Sequence, residues 1–287
     1  MGMVSTVGLV LHPQRDSKEA IDTIVEWARK RDVTVLGLPD EVGRIDCSAV
    51  SVDAATLVRR SDLLVSLGGD GTMLRTMRLI AGRPTPVLGV NLGRLGFLAE
   101  IDVDELAPAL SAIDEHRYTV EPRMAVRATS HDGRMVTAFN DIALVRIPGD
   151  GLAAVSVSVY GEPFVRYAAD AVIVSTSTGS TAYSFSAGGP IVSPTVEGFL
   201  VVPAAAHSAF NRALVLSADE EVTLDVLSTS GQLALEVDGA IGGHLGPGDR
   251  LTVTALRAAA RVVRLGTTTF YERARRKLRV NGSAEVD

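Results

Sequence analysis

Asp70 lies inside Gly68-Gly69-Asp70-Gly71-Thr72, directly after the apolar run 63–67, and its carboxylate is a candidate to take a proton beside a phosphate. Gly68, Gly69 and Gly71 lack Cβ atoms, so the backbone is free to adopt positive φ and to close its N–H groups on an anion. The pattern predicts a helix starting at Thr72, whose N-terminal amides and dipole favour a phosphate nearby. A carboxylate repels the phosphates such a loop attracts, so its presence points to a metal or to a proton that must be removed. The plainer reading is a glycine-rich turn in which Asp70 caps the next helix.

Three further segments carry polar groups suited to a nucleotide. Asn91-Leu-Gly-Arg-Leu-Gly-Phe97 has glycines at 93 and 96 for close backbone approach, and Phe97 either stacks a base or belongs to the core. Asn140-Asp141, at the head of a predicted strand, reads ribose hydroxyls or a base edge, or else forms an Asx turn. Asp170 precedes VIVSTSTGSTAYSFSAGGP, where Thr178, Ser180, Thr181 and Tyr183 gather hydroxyls and a ring around Gly179. Nucleophilic catalysis by one of these serines needs a histidine base, and His207 is the one histidine in a suggestive context. The P-loop, the G-x-G-x-x-G dinucleotide fingerprint and the protein-kinase signatures are absent from the sequence.

Strand and helix patterns alternate over the first hundred residues: strands 7–11, 33–38, 63–67 and 86–90, with helices 17–30, 54–59 and 72–80. That order predicts a parallel α/β sheet with ligands at the carboxyl ends of its strands, where the GGDGT turn and the loop 91–97 both fall. After a helix near 104–113 the period becomes two, predicting strands 125–129, 142–147, 154–160, 172–175, 222–227, 233–237, 251–255 and 262–265. The expected organisation is an α/β domain over 1–100, a β-rich, sandwich-like domain over 101–266, and a C-terminal helix and tail over 267–287 that packs back on the first domain. Phe270, Ala274 and Leu278 mark the apolar face of that helix, and its arginines and lysine are expected to form a solvated face.

Composition limits the function classes. With 28 basic against 34 acidic residues and no long single-sign run, a nucleic-acid groove is not expected. One cysteine, Cys47, cannot form an internal disulfide, and five scattered histidines do not make a zinc module. No apolar run approaches the ~20 residues that span a bilayer, so a cytoplasmic chain without membrane partners is expected. Met1-Gly2 with Thr6 matches a loose acylation pattern and Asn281-Gly-Ser283 a glycosylation acceptor, and neither is expected to be used.

GGDGT, NLGRLGFLAE, the Asn-Asp pair, STSTGSTAYSFSAGGP and a closing FYERARRKL, in this order, resemble the bacterial NAD kinase family across nearly the whole chain. The resemblance implies a phosphotransferase that converts NAD to NADP at the 2′-hydroxyl of the adenosine ribose. The donor it implies is ATP, or in some members inorganic polyphosphate, with Mg²⁺ or another divalent cation whose ligands are unassigned. It implies that Asp70 is the general base and that Gly68, Gly69, Gly71, Thr72 and Arg75 hold donor phosphates. Asp70, Gly71, Phe97, Asn140, Asp141, Asp170, Thr178, Thr181, Ala182 and Tyr183 then meet NAD, partly from a neighbouring subunit, so a homodimer or homotetramer is implied. The chain departs from the family pattern at Ala171, at Ser177 where proline is usual, at Ala204-Ala-Ala206 and at Ala213. A lipid or sphingoid kinase with the same GGDGT loop, and a nucleotide-binding regulator without turnover, remain open at this stage.

Overall fold

The computed structural model describes residues 4–44, 48–93, 96–266 and 268–280. Met1-Gly2, Cys47, Arg94 and Leu95 of the loop 91–97, and Asn281-Gly-Ser283 therefore lie outside the described residues. The chain divides into two compact units, Met1–Pro122 with Ala260–Asp287, and Arg123–Ala259.

The first unit runs β1 (Thr6–Leu11), α1 (Lys18–Arg29), β2 (Thr34–Gly37), α2 (Pro39–Val42), β3 (Val50–Ser51), α3 (Ala54–Arg60), β4 (Leu63–Gly68), α4 (Asp70–Leu79), β5 (Pro86–Asn91), β6 (Ile101–Asp102) and α5 (Leu106–Asp114). Its parallel strands lie in the order β3-β2-β1-β4-β5. Every residue of β4 and β5 is buried, which is why both read as unbroken apolar runs rather than as alternation. Ile21, Ile24 and Trp27 of α1 share one core with Leu106, Leu110 and Ile113 of α5. That shared core brings residues 101–122 into the first unit, so its boundary falls at Pro122 rather than near residue 100.

The second unit contains β7 (Thr119–Ser130), which enters it, then β8 (Met135–Ala138), β9 (Asp141–Arg146), β10 (Ala153–Val159), β11 (Glu162–Ala169), β12 (Ala171–Thr176), α6 (Tyr183–Ser186), β13 (Gly198–Ala204), β14 (Leu214–Ser217), β15 (Val222–Val226), β16 (Leu233–Val237), β17 (Ala240–Leu245) and β18 (Arg250–Arg264), which leaves it. One antiparallel sheet has the order β14-β13-β12-β9-β16-β17, and a second layer has the order β8-β7-β18-β15-β10-β11. Inward residues such as Leu144, Val172 and Val201 from one sheet meet Val155, Leu224 and Val253 from the other in a single core. The outer face of the first sheet, at Ala143, Ile173 and Leu200, packs against Tyr183 and Ala187.

Strands expected over 251–255 and 262–265 form one strand, β18, of 15 residues. Ala258, at φ 47°, interrupts its regular conformation, so the sequence pattern breaks while the strand continues. β8, β11, β13, β14 and β17 are additional to the expected strands. β13 is buried through its first six residues, so period-two alternation is absent from it. The last element, α7 (Phe270–Leu278), belongs to the first unit. Thr269 caps it, accepting from the Glu272 amide at 3.2 Å. No described helix is long and apolar enough to cross a membrane.

Candidate functional site

A single residue, Gly69, separates β4 from α4, so the helix begins at Asp70, two residues earlier than the sequence predicts. None of Gly68, Gly69 and Gly71 adopts positive φ, which corrects the expected reason for their presence. Proximity accounts for Gly68 alone: a Cβ there would come within 2.6 Å of Thr72 Cβ, whereas one on Gly69 would come no nearer than 3.9 Å to Arg15 Nη1 and one on Gly71 would meet none of the described residues within 4 Å. The space beside Gly71 is open.

The Asp70 side chain does not cap α4. Its Oδ2 accepts from the Phe97 amide at 2.9 Å and its Oδ1 from the Leu98 amide at 3.0 Å. Gly96 makes this approach possible, since a Cβ there would lie 2.7 Å from Asp70 Cγ and closer still to Oδ1. The GGDGT turn and the loop after β5 thus meet, as the strand order requires. Lys277 of α7 also donates to Oδ2 at 3.2 Å, and its Nζ sits 4.7 Å from the centre of the Phe97 ring. Phe97 is half-buried, with Phe270 tilted against it at 6.4 Å.

Asp70 also lines a cavity of about 460 Å³ with His12, Pro13, Arg15, Gly69, Gly71, Thr72, Arg75 and Arg78. The basic residues offset the carboxylate, so an anion can enter. Arg75 is committed within the protein: it pairs with buried Glu41 at 2.5 Å and donates to the Leu11 carbonyl at 2.7 Å. Arg15 makes no ion pair among the described residues, and its guanidinium lies where a Cβ on Gly93 would come within 2.6 Å of Nη1. His12 Nδ1 accepts from the Gln14 and Arg15 amides, both at 3.1 Å, so the neutral ring carries its proton on Nε2. Burial, then the charges of Arg15, Arg44 and Arg75, lower the pKa of His12. His12, Arg15 and Arg78 were not expected from the sequence, because isolated basic residues lacked a motif to mark them. Thr72 is 4% exposed, and its Oγ1 has no hydrogen-bond partner among the described residues.

In the second unit, a hairpin loop places the Asn140-Asp141 pair. Asp238-Gly239 joins β16 to β17, and both residues have positive φ, 48° and 77°. That is the type I′ geometry for which Asp-Gly is suited, so this turn was legible in the sequence although not read from it. Asp238 folds its carboxylate back to accept from the amides of Asn140 at 2.6 Å and of Phe139 and Asp141 at 3.3 Å. The Asn140 side-chain amide makes no hydrogen bond to the described residues.

Asp141 is 3% exposed, and its pKa is pushed up to about 7 by burial first, then by the Asp238 and Glu236 carboxylates, against a lowering contribution from the Tyr183 amide. Burial, followed by Glu236, Asp170 and Asp141, also raises the pKa of the Tyr183 hydroxyl. Asp170 pairs with Arg146 on the neighbouring strand. Gly179 is required for contact with the pair, since a Cβ there would lie 2.6 Å from Asn140 Cα. Ser180 is fully buried and ties Ser177 to Val192, whereas the buried hydroxyls of Ser177, Thr178 and Ser184 have no partner among the described residues. Thr181, Ala182 and Tyr183 are half-buried in the same segment. His207 is exposed and its side chain reaches no serine among the described residues. Apart from His207, the sequence-derived candidates fall into two groups: Gly68 to Thr72, Arg75 and Phe97 in the first unit, and Asn140, Asp141, Asp170 and 178–183 in the second.

Family models match both units: the ATP-NAD kinase N-terminal domain over residues 7–118 and the ATP-NAD kinase C-terminal domain over 139–265. The chain is 38% identical to NAD kinase 1 of Streptomyces avermitilis, covering 96% of this chain and 87% of that protein. It is likewise 38% identical to NAD kinase of Moorella thermoacetica, covering 100% and 91%. Its fold is similar to a yeast NADH kinase solved with NADH, at 28% identity and a TM-score of 0.88, covering 100% of this chain and 91% of that one. An NAD kinase from Archaeoglobus fulgidus, solved with ATP, shares the fold at 24% identity and a TM-score of 0.74, covering 96% and 100%. The chain belongs to the ATP-NAD kinase family.

Proposed function

We propose that this chain transfers the terminal phosphoryl group of ATP to the 2′-hydroxyl of the adenosine ribose of NAD, giving NADP. The observation that carries the reading is Asp70, a carboxylate held by two backbone amides at the edge of a basic cavity next to a helix N-terminus. A ribose hydroxyl is a poor nucleophile, so Asp70 takes its proton as the oxygen forms a bond to the γ-phosphorus and the bond from that phosphorus to the β-bridging oxygen breaks. Gly68, Gly69, Gly71 and Thr72 line the donor phosphates, with Arg15 and Arg78. Arg75 shapes this wall while paired to Glu41.

In the second unit, Asn140 offers an unspent amide and Thr178 an unspent hydroxyl, both suited to the hydroxyls and base edges of a dinucleotide. Asp141, Asp170, Thr181, Ala182 and Tyr183 complete the NAD-recognition set of this unit; in the first unit, Phe97 is the apolar ring suited to a base. The acidic character of this set suits a ligand with many hydroxyl donors and a cationic nicotinamide ring. A divalent cation bound with ATP would neutralise charge on the donor phosphates, with Asp70 the carboxylate nearest them. Polyphosphate presents the same repeating anion and is a second donor to test. The chain acts in the cytoplasm as a homodimer or homotetramer; the exposed Phe210 and Val215 of the second unit are apolar groups that a neighbouring copy can cover.

Incubation of the purified chain with NAD, ATP and Mg²⁺, followed by an NADP-specific dehydrogenase readout, tests the reading. Asp70→Asn is expected to lower kcat by ~10²–10⁴-fold, the contribution of a positioned general base. NADP formation by wild type no greater than by this variant refutes it.

A further inference from the structure

The basic residues of α7 do not share one environment. Arg276 pairs with Glu272 on the helix surface, as a solvated face requires. Arg273 is 3% exposed: it donates to the Ala99 carbonyl and to the Glu100 carboxylate, itself buried and also paired with Arg264. Lys277 follows Arg273 by four residues, one helical turn along the same face. Fixing Arg273 to residues 99–100 therefore aims Lys277 at residues 97–98 and at the carboxylate they hold.

We propose that Lys277 is a positioning residue for phosphoryl transfer, acting through Asp70; the assignment rests on the functional reading above. An ionised carboxylate has about four acceptor positions, two on each oxygen. Oδ2 receives both the Phe97 amide and Lys277, so its capacity is filled. Oδ1 receives the Leu98 amide alone, leaving one position for a hydroxyl proton. Lys277 thereby assigns proton transfer to Oδ1 and fixes the orientation of the carboxylate. The face of the Phe97 ring attracts the same ammonium, so this rotamer of Lys277 is favoured by both the ring and the carboxylate.

The test compares wild type, Lys277→Met and Lys277→Arg in the NADP-forming assay, with Asp70→Asn as the inactive reference. Wild-type activity above that reference upholds the functional reading independently of the variants. Lys277→Met, which keeps the stem and removes the charge, is expected to lower kcat about 10- to 100-fold, the scale of a mispositioned reacting group. The KM for NAD should change less than about threefold, and Lys277→Arg should restore most of kcat. The pair is partly exposed, so the thermal midpoint should move by no more than about 3 °C. A kcat for Lys277→Met within twofold of wild type overturns the proposal. Equal loss in the Met and Arg variants, or a loss confined to KM, also overturns it. A wild type no more active than Asp70→Asn overturns both the functional reading and this assignment.

Discussion

Gly96→Ala offers the sharpest test of why Asp70 sits where it does. Gly96 has no positive φ, so alanine is compatible with its backbone, and the conflict comes from the new methyl group. That carbon would lie 2.7 Å from Asp70 Cγ and 3.0 Å from Oδ2, against an ordinary contact of at least 3.4 Å. The carboxylate, or the loop carrying the Phe97 and Leu98 amides, must then move by roughly 0.7 Å or more. Displacements near 1 Å in a reacting group cost up to ~10²-fold, so a 10- to 100-fold fall in kcat is expected, or about 1.4–2.7 kcal/mol in barrier height. Stability also falls, because loss of two hydrogen bonds is only partly offset by about 0.4–1 kcal/mol from a less flexible unfolded chain. Gly71→Ala is the matched control, since its methyl meets nothing in the protein within 4 Å and lies within a helix. It should raise the thermal midpoint slightly and raise the KM for ATP, the ligand proposed to fill that space. Steady-state kinetics in the NADP-linked assay, with melting curves for each variant, separate these effects. If Gly96→Ala keeps kcat within twofold of wild type, or if Gly71→Ala loses as much kcat as Gly96→Ala, the account of Asp70 is wrong.

Other expectations concern the second unit. Because Asp141 holds its proton in the folded state up to about pH 7 while the unfolded chain releases it near the ordinary value of 3.8, the stability it contributes is present at low pH and lost as pH rises through that window. Asp141→Asn should therefore raise the thermal midpoint relative to wild type at pH 8 but not at pH 4, while weakening NAD binding; an equal difference at both pH values refutes this. Ser177 has φ −56°, compatible with proline, a buried hydroxyl without a partner, and an extended residue before it. Ser177→Pro should stabilise the chain by about 0.4–1 kcal/mol with kcat unchanged, as read by denaturant melts, and a loss of stability would show that the ring does not fit.

The local elements were largely legible in the sequence because their signals are local. Unbroken apolar runs mark β4, β5 and β9, glycines mark the turn before α4, and alternation marks β10 and β15. The two-layer class follows from the change of period after residue 100, and Asp70, Asn140 and Thr178 stand out because polar groups at strand ends have few structural reasons to be there. Sequence alone did not determine which atoms meet. The reading of α7 as a uniformly solvated basic face failed because the burial of Arg273 depends on Glu100, 173 residues away in sequence, and the direction of Lys277 depends on Arg273. The role of Gly68 differs from the expectation for a related reason, since close contact and positive φ both select glycine and only the tertiary structure distinguishes them. Asp238 acts through the amides of residues 139–141, and Arg15 lines the cavity beside Asp70, neither of which sequence places next to it. Sequence thus determined the elements and much of the candidate chemistry, because propensity, period and residue type are properties of short segments. The donor count on each oxygen of Asp70 was decided only by tertiary structure, because it requires β4, the loop after β5 and α7 to converge on one carboxylate.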